Sequence, residues 1–142
     1  MAQELPPAGG GPARLLVVED NEVARQGLAA VLRRAGYEVA LAANGEEGLG
    51  LLRAGPPPGL ILLDMLMPVL DGWHFLERLK RQGPRPLPPI VITTGANLTL
   101  EWARDHGCQG FVKKPIETGA LLAEVRRCLA PPPGGAAPGA ST

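Results

Sequence analysis

Short runs of apolar residues alternate along the chain with segments whose apolar residues recur every three or four positions. The runs are typical of strands buried on both faces, and the spaced segments are typical of amphipathic helices. The pattern predicts five strands, at 15–18, 37–42, 60–63, 90–94 and 110–113. Two helices are predicted to begin after Asn21 and after Asn44, and two more to span 72–82 and 98–106. A final amphipathic helix is predicted to end at Leu129. The order is therefore five strand–helix units.

The first helix has the clearest pattern of the five. Asn21 can cap its N-terminus and Gly36 ends it. We expect one buried face made of Ala24, Gly27, Leu28, Val31, Leu32 and Ala35. In the second helix, Gly48 and Gly50 each cost roughly 1 kcal/mol relative to alanine.

Continuously apolar strands that alternate with helices predict an α/β fold with a parallel sheet covered on both faces. Right-handed crossovers reduce the topologies to a few doubly wound arrangements. Ligands of such sheets bind outside the carboxyl ends of the strands, where the strand order reverses. Functional side chains are therefore expected at those ends.

Charge and composition exclude several classes of protein. Lys plus Arg equals Asp plus Glu at 14 each, so no net positive field attracts nucleic acid or an anionic membrane. The longest apolar stretch, 59–70, is interrupted by Asp64 and Pro68 and is too short to cross a bilayer. The N-terminus lacks a signal-peptide pattern, and the two cysteines form no CxxC motif. We expect a cytoplasmic protein that contacts neither membrane nor nucleic acid directly.

The two ends of the chain differ from the middle. Gly and Pro supply 35 of the 142 residues, and 13 of these fall within 1–13 and 130–142. Such segments have no apolar face to bury. We expect disordered tails at 1–13 and 130–142 around one folded domain at 14–129.

Four predicted strands end in side chains that carry chemistry. These are Glu19 and Asp20 after the first strand, Asp64 after the third, Thr94 in the fourth and Lys114 after the fifth. Three clustered carboxylates repel one another unless a cation lies between them, and a hard divalent cation with oxygen ligands, such as Mg²⁺, suits them. A lysine and a hydroxyl beside that cation suit the oxygens of a transferring phosphoryl group.

In these segments the chain resembles the receiver domains of response regulators in bacterial two-component signalling. The resemblance covers residues 13–129 and is carried by Val17 to Asn21, Leu62 to Gly72, Pro89 to Gly95 and Phe111 to Pro115. It implies a (βα)5 flavodoxin-like fold with strand order 2-1-3-4-5.

The resemblance also implies a role for each matching residue. Asp64 is the expected phosphoacceptor, and Glu19, Asp20, Asp64 and the carbonyl of Leu66 are the expected Mg²⁺ ligands. Thr94 and Lys114 would bind the phosphoryl group, while Thr94 and Phe111 would form the conformational switch. A cis Lys114–Pro115 bond is implied as well.

The partners implied by the resemblance are a histidine kinase or a histidine phosphotransfer protein, together with an output protein whose identity stays open. A homodimer through the fourth helix, fifth strand and fifth helix is a further expectation. The chain would be a signalling module and not an enzyme that acts on an external metabolite.

Two other interpretations remain open. One is a pseudo-receiver that binds partners without phosphorylation, which the intact set of acidic, hydroxyl and lysine residues disfavours. The other is a flavodoxin-like nucleotide-binding protein, which would need a glycine-rich loop after its first strand in place of Glu19 and Asp20. His74 and His106 are expected to be surface residues, and Asp71 to begin a helix.

Overall fold

A computed structural model of the chain describes residues 13–65, 71–95 and 98–129, and these form five parallel strands alternating with five helices. The predicted tails at 1–13 and 130–142 lie outside the described residues, except for Ala13. The elements in chain order are β1 (Arg14–Val18), α1 (Glu22–Arg34), β2 (Glu38–Ala42), α2 (Gly45–Ala54), β3 (Leu60–Asp64), α3 (Gly72–Gln82), β4 (Ile90–Thr94), α4 (Leu100–Asp105), β5 (Gly110–Lys113) and α5 (Thr118–Leu129).

The strands form one sheet in the order β2-β1-β3-β4-β5, which confirms the expected topology. The order reverses between β1 and β3, and the register aligns Val18 of β1 with Leu63 of β3. On the other side of β3, Asp64 pairs with Thr93 of β4. The carboxyl ends of these strands therefore meet at one edge of the sheet, where ligands bind in such folds.

Apolar side chains cover both faces of the sheet. On one face, Phe75 of α3 is fully buried against residues of β1, β3 and β4. On the other, Leu32 of α1 and Val125 of α5 are fully buried. Each such side chain contributes on the order of 1.5–3 kcal/mol to folding. Among the described residues, no helix is both long and apolar enough to cross a bilayer.

Two sequence predictions about the helices were wrong in detail. In α1 the buried residues are Leu28, Ala29 and Leu32, whereas Gly27 and Ala35 are exposed. The buried face is narrower than the apolar pattern, because Gly27 borders a groove instead of the core and Ala35 is the C-cap at the end of the helix. The fourth helix begins at Leu100 and not at residue 98, because the Thr99 hydroxyl accepts a hydrogen bond from the Trp102 amide and caps it.

Strand β5 lies at the edge of the sheet, and side chains of α5 cover its open side. The Glu124 carboxylate accepts a hydrogen bond from the Phe111 amide at 2.9 Å and also binds Arg127. Arg127 in turn donates to the Gln109 carbonyl at 2.7 Å. Helix α5 therefore satisfies backbone groups that an uncovered edge strand would leave open. The Arg127 guanidinium, aided by the Phe111 amide, holds the pKa of Glu124 below its ordinary value against the effect of burial.

We expect Glu124→Gln to lower the free energy of unfolding at neutral pH by about 1–2 kcal/mol, because a charge-assisted bond to Arg127 is lost. The contribution of the carboxylate is present above the unfolded-state pKa, about 4.5, and is lost as the pH falls through the lower folded-state pKa. The variant should therefore lose less stability than the wild type in that acid range. Urea unfolding across the range measures both effects, with Glu77→Gln, an exposed glutamate of α3, as the control. Coincident wild-type and Glu124→Gln curves would refute this role.

Candidate functional site

The edge where the strands end gathers the side chains that the sequence pointed to. Asp64 is the last residue of β3, Thr94 is the last of β4, and Glu19 directly follows β1. All three are buried, with Glu19 and Asp64 only 2% exposed. Charged carboxylates at that depth are costly unless cations or hydrogen bonds compensate them. Their position therefore indicates a function beyond packing.

Three carboxylates form a compact cluster at this edge. One oxygen each from Glu19, Asp20 and Asp64 lies within 4.8 Å of the others. Asp20 is the least buried of the three, so the cluster opens toward solvent on its side. Like charges this close repel each other. The cluster could bind a divalent cation, which prefers carboxylate oxygens as ligands.

Lys114 supplies positive charge to the cluster. Its ammonium nitrogen lies 3.3 Å from Asp64 Oδ1 and 3.4 Å from Glu19 Oε1, so it bridges two of the three acids. Burial lowers the pKa of Lys114, but the carboxylates of Asp64 and Glu19 outweigh that effect and the pKa is raised. The ammonium therefore stays charged at neutral pH. The residue follows β5 directly, and its bond to Pro115 is cis, as expected.

The two oxygens of Glu19 have different surroundings. Oε2 accepts a hydrogen bond from the Asn21 amide at 3.1 Å, which fixes the orientation of the carboxylate. Oε1 is buried and accepts no hydrogen bond from the described residues, and the Lys114 ammonium lies 3.4 Å from it. A buried carboxylate oxygen without a hydrogen-bond donor is costly. A cation beside it would remove that cost, so the donor set fits Mg²⁺.

Comparisons with known proteins agree on one family. The sequence profile described as "Response regulator receiver domain" matches residues 15–126. The chain belongs to the response regulator receiver domain family. Among solved structures, this receiver domain is similar to the chemotaxis response regulator CheY4 of Vibrio cholerae, with 30% identity and a TM-score of 0.74 over 82% of this chain and 98% of that one. A putative response regulator from Chloroflexus aurantiacus gives 34% identity and the same TM-score over 84% and 99%.

Curated relatives differ in how much of their length the receiver domain spans. The transcriptional regulatory protein AfsQ1 of Streptomyces coelicolor is 36% identical over 117 residues, which are 81% of this chain and 50% of that protein. The protein PilH of Pseudomonas aeruginosa is 29% identical over 120 residues, which are 83% of this chain and 98% of that protein. The chain thus spans about half the length of some relatives and nearly all of others.

The two proposed switch residues of the receiver domain lie on one face of the sheet. Phe111 pairs with Ile92 in the register, and both belong to the core layer that contains Phe75. Because side chains alternate along a strand, Thr94 lies on the same face as Ile92, and Thr93 lies on the opposite face. Phe111 is half-buried, in a layer that also includes Leu98 and Trp102. Leu66 lies outside the described residues.

Both histidines of the receiver domain have structural surroundings away from the acidic cluster. His74 Nδ1 lies 2.9 Å from Asp71 Oδ1, and Asp71 caps α3 by accepting from the His74 amide. This amide is the main reason that the pKa of Asp71 is lowered, while burial opposes it. His106 Nδ1 lies 2.8 Å from the Trp102 carbonyl, and the two rings stack at 4.0 Å. The expected helix-start role of Asp71 matches this geometry.

Two contacts at the site were not anticipated from the sequence. The Asn21 amide orients Glu19, and Arg25 of α1 donates to the carbonyls of Glu19 and Asp20. The sequence predicts only the helix-capping role of Asn21, which it also fills by accepting a hydrogen bond from the Ala24 amide. Arg25 lies in the first turns of α1, five residues after Asp20, but a single arginine at that position in a sequence does not predict a contact with the preceding turn.

Proposed function

We propose that this receiver domain accepts a phosphoryl group on Asp64 from a phosphohistidine of a histidine kinase or a histidine phosphotransfer protein, in a Mg²⁺-dependent reaction in the cytoplasm. The observation that carries the proposal is the convergence of Lys114 on Asp64 and Glu19, with Asp20 completing an acidic cluster within 4.8 Å. The chain acts as a signalling module whose own aspartate is the substrate.

In the reaction, a carboxylate oxygen of Asp64 attacks the phosphorus atom of phosphohistidine. A new P–O bond forms, the P–N bond breaks, and its electron pair stays with the departing imidazole. The Lys114 ammonium and the Thr94 hydroxyl bind oxygens of the transferring group. Glu19, Asp20, Asp64 and the Leu66 carbonyl would hold Mg²⁺, which neutralises charge on the phosphoryl oxygens.

The phosphohistidine donor is proposed to dock beside the site, on α1. A groove of about 490 Å³ runs from Glu19 and Lys114 along Ala24 and Gly27 to the apolar side chain of Ile116. The small residues of α1 leave this groove open, and Val23, which precedes Ala24 in the helix, is 82% exposed. An exposed valine on the helix that borders this groove, which is lined at one end by the Lys114 that contacts Asp64, suits a protein donor better than a small metabolite.

We expect Val23→Gln to slow phosphotransfer from a cognate phosphohistidine protein about tenfold and to leave transfer from a small phosphodonor unchanged. The side chain is exposed, and glutamine is a good helix former, so folding should not suffer. Leu51→Gln on α2, another exposed apolar residue, is the matched control and should transfer normally. Equal rates for the Val23→Gln, Leu51→Gln and wild-type proteins would remove α1 from the docking surface.

Phosphorylation is proposed to reach the surface through Thr94 and Phe111. A phosphoryl oxygen on Asp64 offers the Thr94 hydroxyl an acceptor, which draws the end of β4 inward. Phe111 on the same face, half-buried near Leu98 and Trp102, can then shift into the vacated space. The phosphoryl group shifts the population between the two positions of Phe111 only because it interacts more favourably with one of the two packings than with the other. The face formed by α4, β5 and α5 would present the signal to an output protein or to a second copy of the chain.

We expect Thr94→Ala to accept phosphate but to transmit little change to residues 98–125. Amide NMR spectra with and without a phosphoryl mimic plus Mg²⁺ compare the wild type with this variant. The matched control is Thr93→Ala, which removes the buried hydroxyl on the opposite face of β4. Equal shifts over 98–125 in the wild type and in Thr94→Ala would show that the hydroxyl does not transmit the signal.

The proposed function is tested by incubating the chain with a small phosphodonor and measuring its intact mass. We expect the mass of one phosphoryl group to be added with Mg²⁺ and none to be added with excess chelator. A wild-type chain whose mass stays unchanged in Mg²⁺ would favour the pseudo-receiver interpretation.

A further inference from the structure

Arg25 contacts the turn that carries two of the three clustered acids. Its side chain extends back from α1, and Nη1 donates to the Glu19 carbonyl at 3.0 Å and to the Asp20 carbonyl at 3.2 Å. Arg25 is itself half-buried, so these contacts are partly shielded from water. One guanidinium nitrogen therefore links the two consecutive residues whose carboxylates point into the cluster.

The turn at Glu19 and Asp20 is short and is held from both ends. The Glu19 amide donates to the Ala42 carbonyl of β2, and the Arg25 amide donates to the Asn21 carbonyl as α1 begins. Between these anchors, Glu19 and Asp20 lie after the last residue of β1 and before the first residue of α1. The Arg25 side chain donates hydrogen bonds to the carbonyls of both residues in this turn.

Arg25 binds carbonyl oxygens, whereas Lys114 lies against the carboxylates themselves. Lys114 lies 3.4 Å from Glu19 Oε1 and 3.3 Å from Asp64 Oδ1, so it shares oxygens with any cation that binds there. Arg25 adds a positive charge on the backbone side of the turn and leaves the carboxylate oxygens to a metal. Its contribution to cation binding is therefore geometric: it fixes the backbone that carries two of the acids without occupying their ligand atoms.

We propose that Arg25 is a positioning residue that holds the Glu19–Asp20 turn in the geometry that binds a divalent cation. The proposal rests on the Mg²⁺-dependent function above and assigns part of its metal affinity to a residue outside the ligand set. Rigid support from neighbouring hydrogen bonds commonly changes metal affinity by about 10–100-fold. Arg25 touches neither substrate nor metal, so its effect should fall on cation binding and not on the transfer step at saturating Mg²⁺.

Helix α1 offers a matched control for this role. Arg33, two turns further along, also donates from its side chain to a backbone carbonyl, that of Val39 at 2.9 Å. That bond joins α1 to β2 away from the acidic cluster. Substituting Arg33 therefore removes the same residue type and the same kind of bond from the same helix. Comparing the Arg25 and Arg33 variants therefore separates an effect on cation binding from a general loss of stability in α1.

The experiment titrates Mg²⁺ into the wild type, Arg25→Gln, Arg25→Lys and Arg33→Gln, and follows binding by calorimetry and by the rise in Tm. We expect Mg²⁺ to bind Arg25→Gln about tenfold more weakly than the wild type and Arg33→Gln with unchanged affinity. Arg25→Lys keeps the charge but loses the guanidinium geometry, and its affinity should fall between the two. If Arg25→Gln is poorly folded, Arg25→Lys against Arg33→Gln provides the same comparison.

The measured affinities test the positioning role of Arg25 separately from the Mg²⁺-dependent function. Equal Mg²⁺ affinities in the wild type and both Arg25 variants would overturn the positioning role while leaving the proposed function intact. An equal loss in Arg25→Gln and Arg33→Gln would also overturn it, because general weakening of α1 would then explain the loss. A wild-type chain that binds no Mg²⁺ would instead refute the Mg²⁺-dependent function. With saturating Mg²⁺, phosphorylation of Arg25→Gln by a small donor should recover to near the wild-type rate.

Discussion

Replacing Lys114 with methionine lowers the free energy of unfolding by about 3 kcal/mol in the absence of divalent cations, because the Asp64 and Glu19 carboxylates lose the ammonium that compensates them. Both carboxylates are 2% exposed, so water hydrates them poorly once the ammonium is gone. Methionine keeps most of the length and apolar character of the lysine stem. The loss therefore reports on charge more than on packing.

The same variant should respond more strongly to Mg²⁺ than the wild type does. A cation bound among Glu19, Asp20 and Asp64 compensates the charge that Lys114 no longer supplies, so Mg²⁺ should restore much of the lost stability. Urea unfolding with and without Mg²⁺ measures this, and Lys113→Met, an exposed neighbour, is the control. Wild-type stability for Lys114→Met without cations, or equal Mg²⁺ stabilisation in both proteins, would contradict this account of the cluster.

Replacing Asp64 with asparagine is expected to abolish phosphorylation and to stabilise the fold. The amide cannot act as the nucleophile, so no phosphoryl group should be incorporated. Without Mg²⁺ the free energy of unfolding should rise by about 1 kcal/mol, because one of three mutually repelling charges is gone. The side-chain oxygen of asparagine can still accept a hydrogen bond from Lys114, which lies 3.3 Å from Asp64 Oδ1 in the wild type.

The control for this variant is Asp105→Asn, at the exposed end of α4. It removes one negative charge from the chain but none from the cluster, so its stability and phosphorylation should match the wild type. A large fall in Tm for Asp64→Asn without Mg²⁺ would show that Asp64 is needed for folding, in conflict with the repulsion argument.

The fold followed from the sequence because its strands are strongly apolar and its functional residues stand at strand ends. The runs that became β3 and β4 are buried throughout, and alternation with helices then left few topologies. Clustering of Glu19, Asp64 and Lys114 could be anticipated for the same reason, since the carboxyl ends of parallel strands share one edge. Assigning roles to these residues required the resemblance to receiver domains.

Features that depend on close packing could not be anticipated. Gly48 and Gly50 are alike in the sequence, but an added Cβ at Gly48 would lie 3.1 Å from Phe75 and 3.2 Å from Val18, whereas Gly50 faces open space. A one-dimensional pattern does not contain that difference. The contact from Arg25 to two carbonyls depends equally on where α1 turns after the acid pair.

The most direct test of the central claim locates the phosphoryl group on the chain. The protein is incubated with a small phosphodonor and Mg²⁺, reduced with borohydride to convert an aspartyl phosphate to homoserine, and digested for mass spectrometry. We expect homoserine at position 64 alone, in a yield that falls to background with chelator and in Asp64→Asn. Homoserine at another position, or none at position 64 in the wild type, would contradict the proposal that Asp64 is the phosphoacceptor.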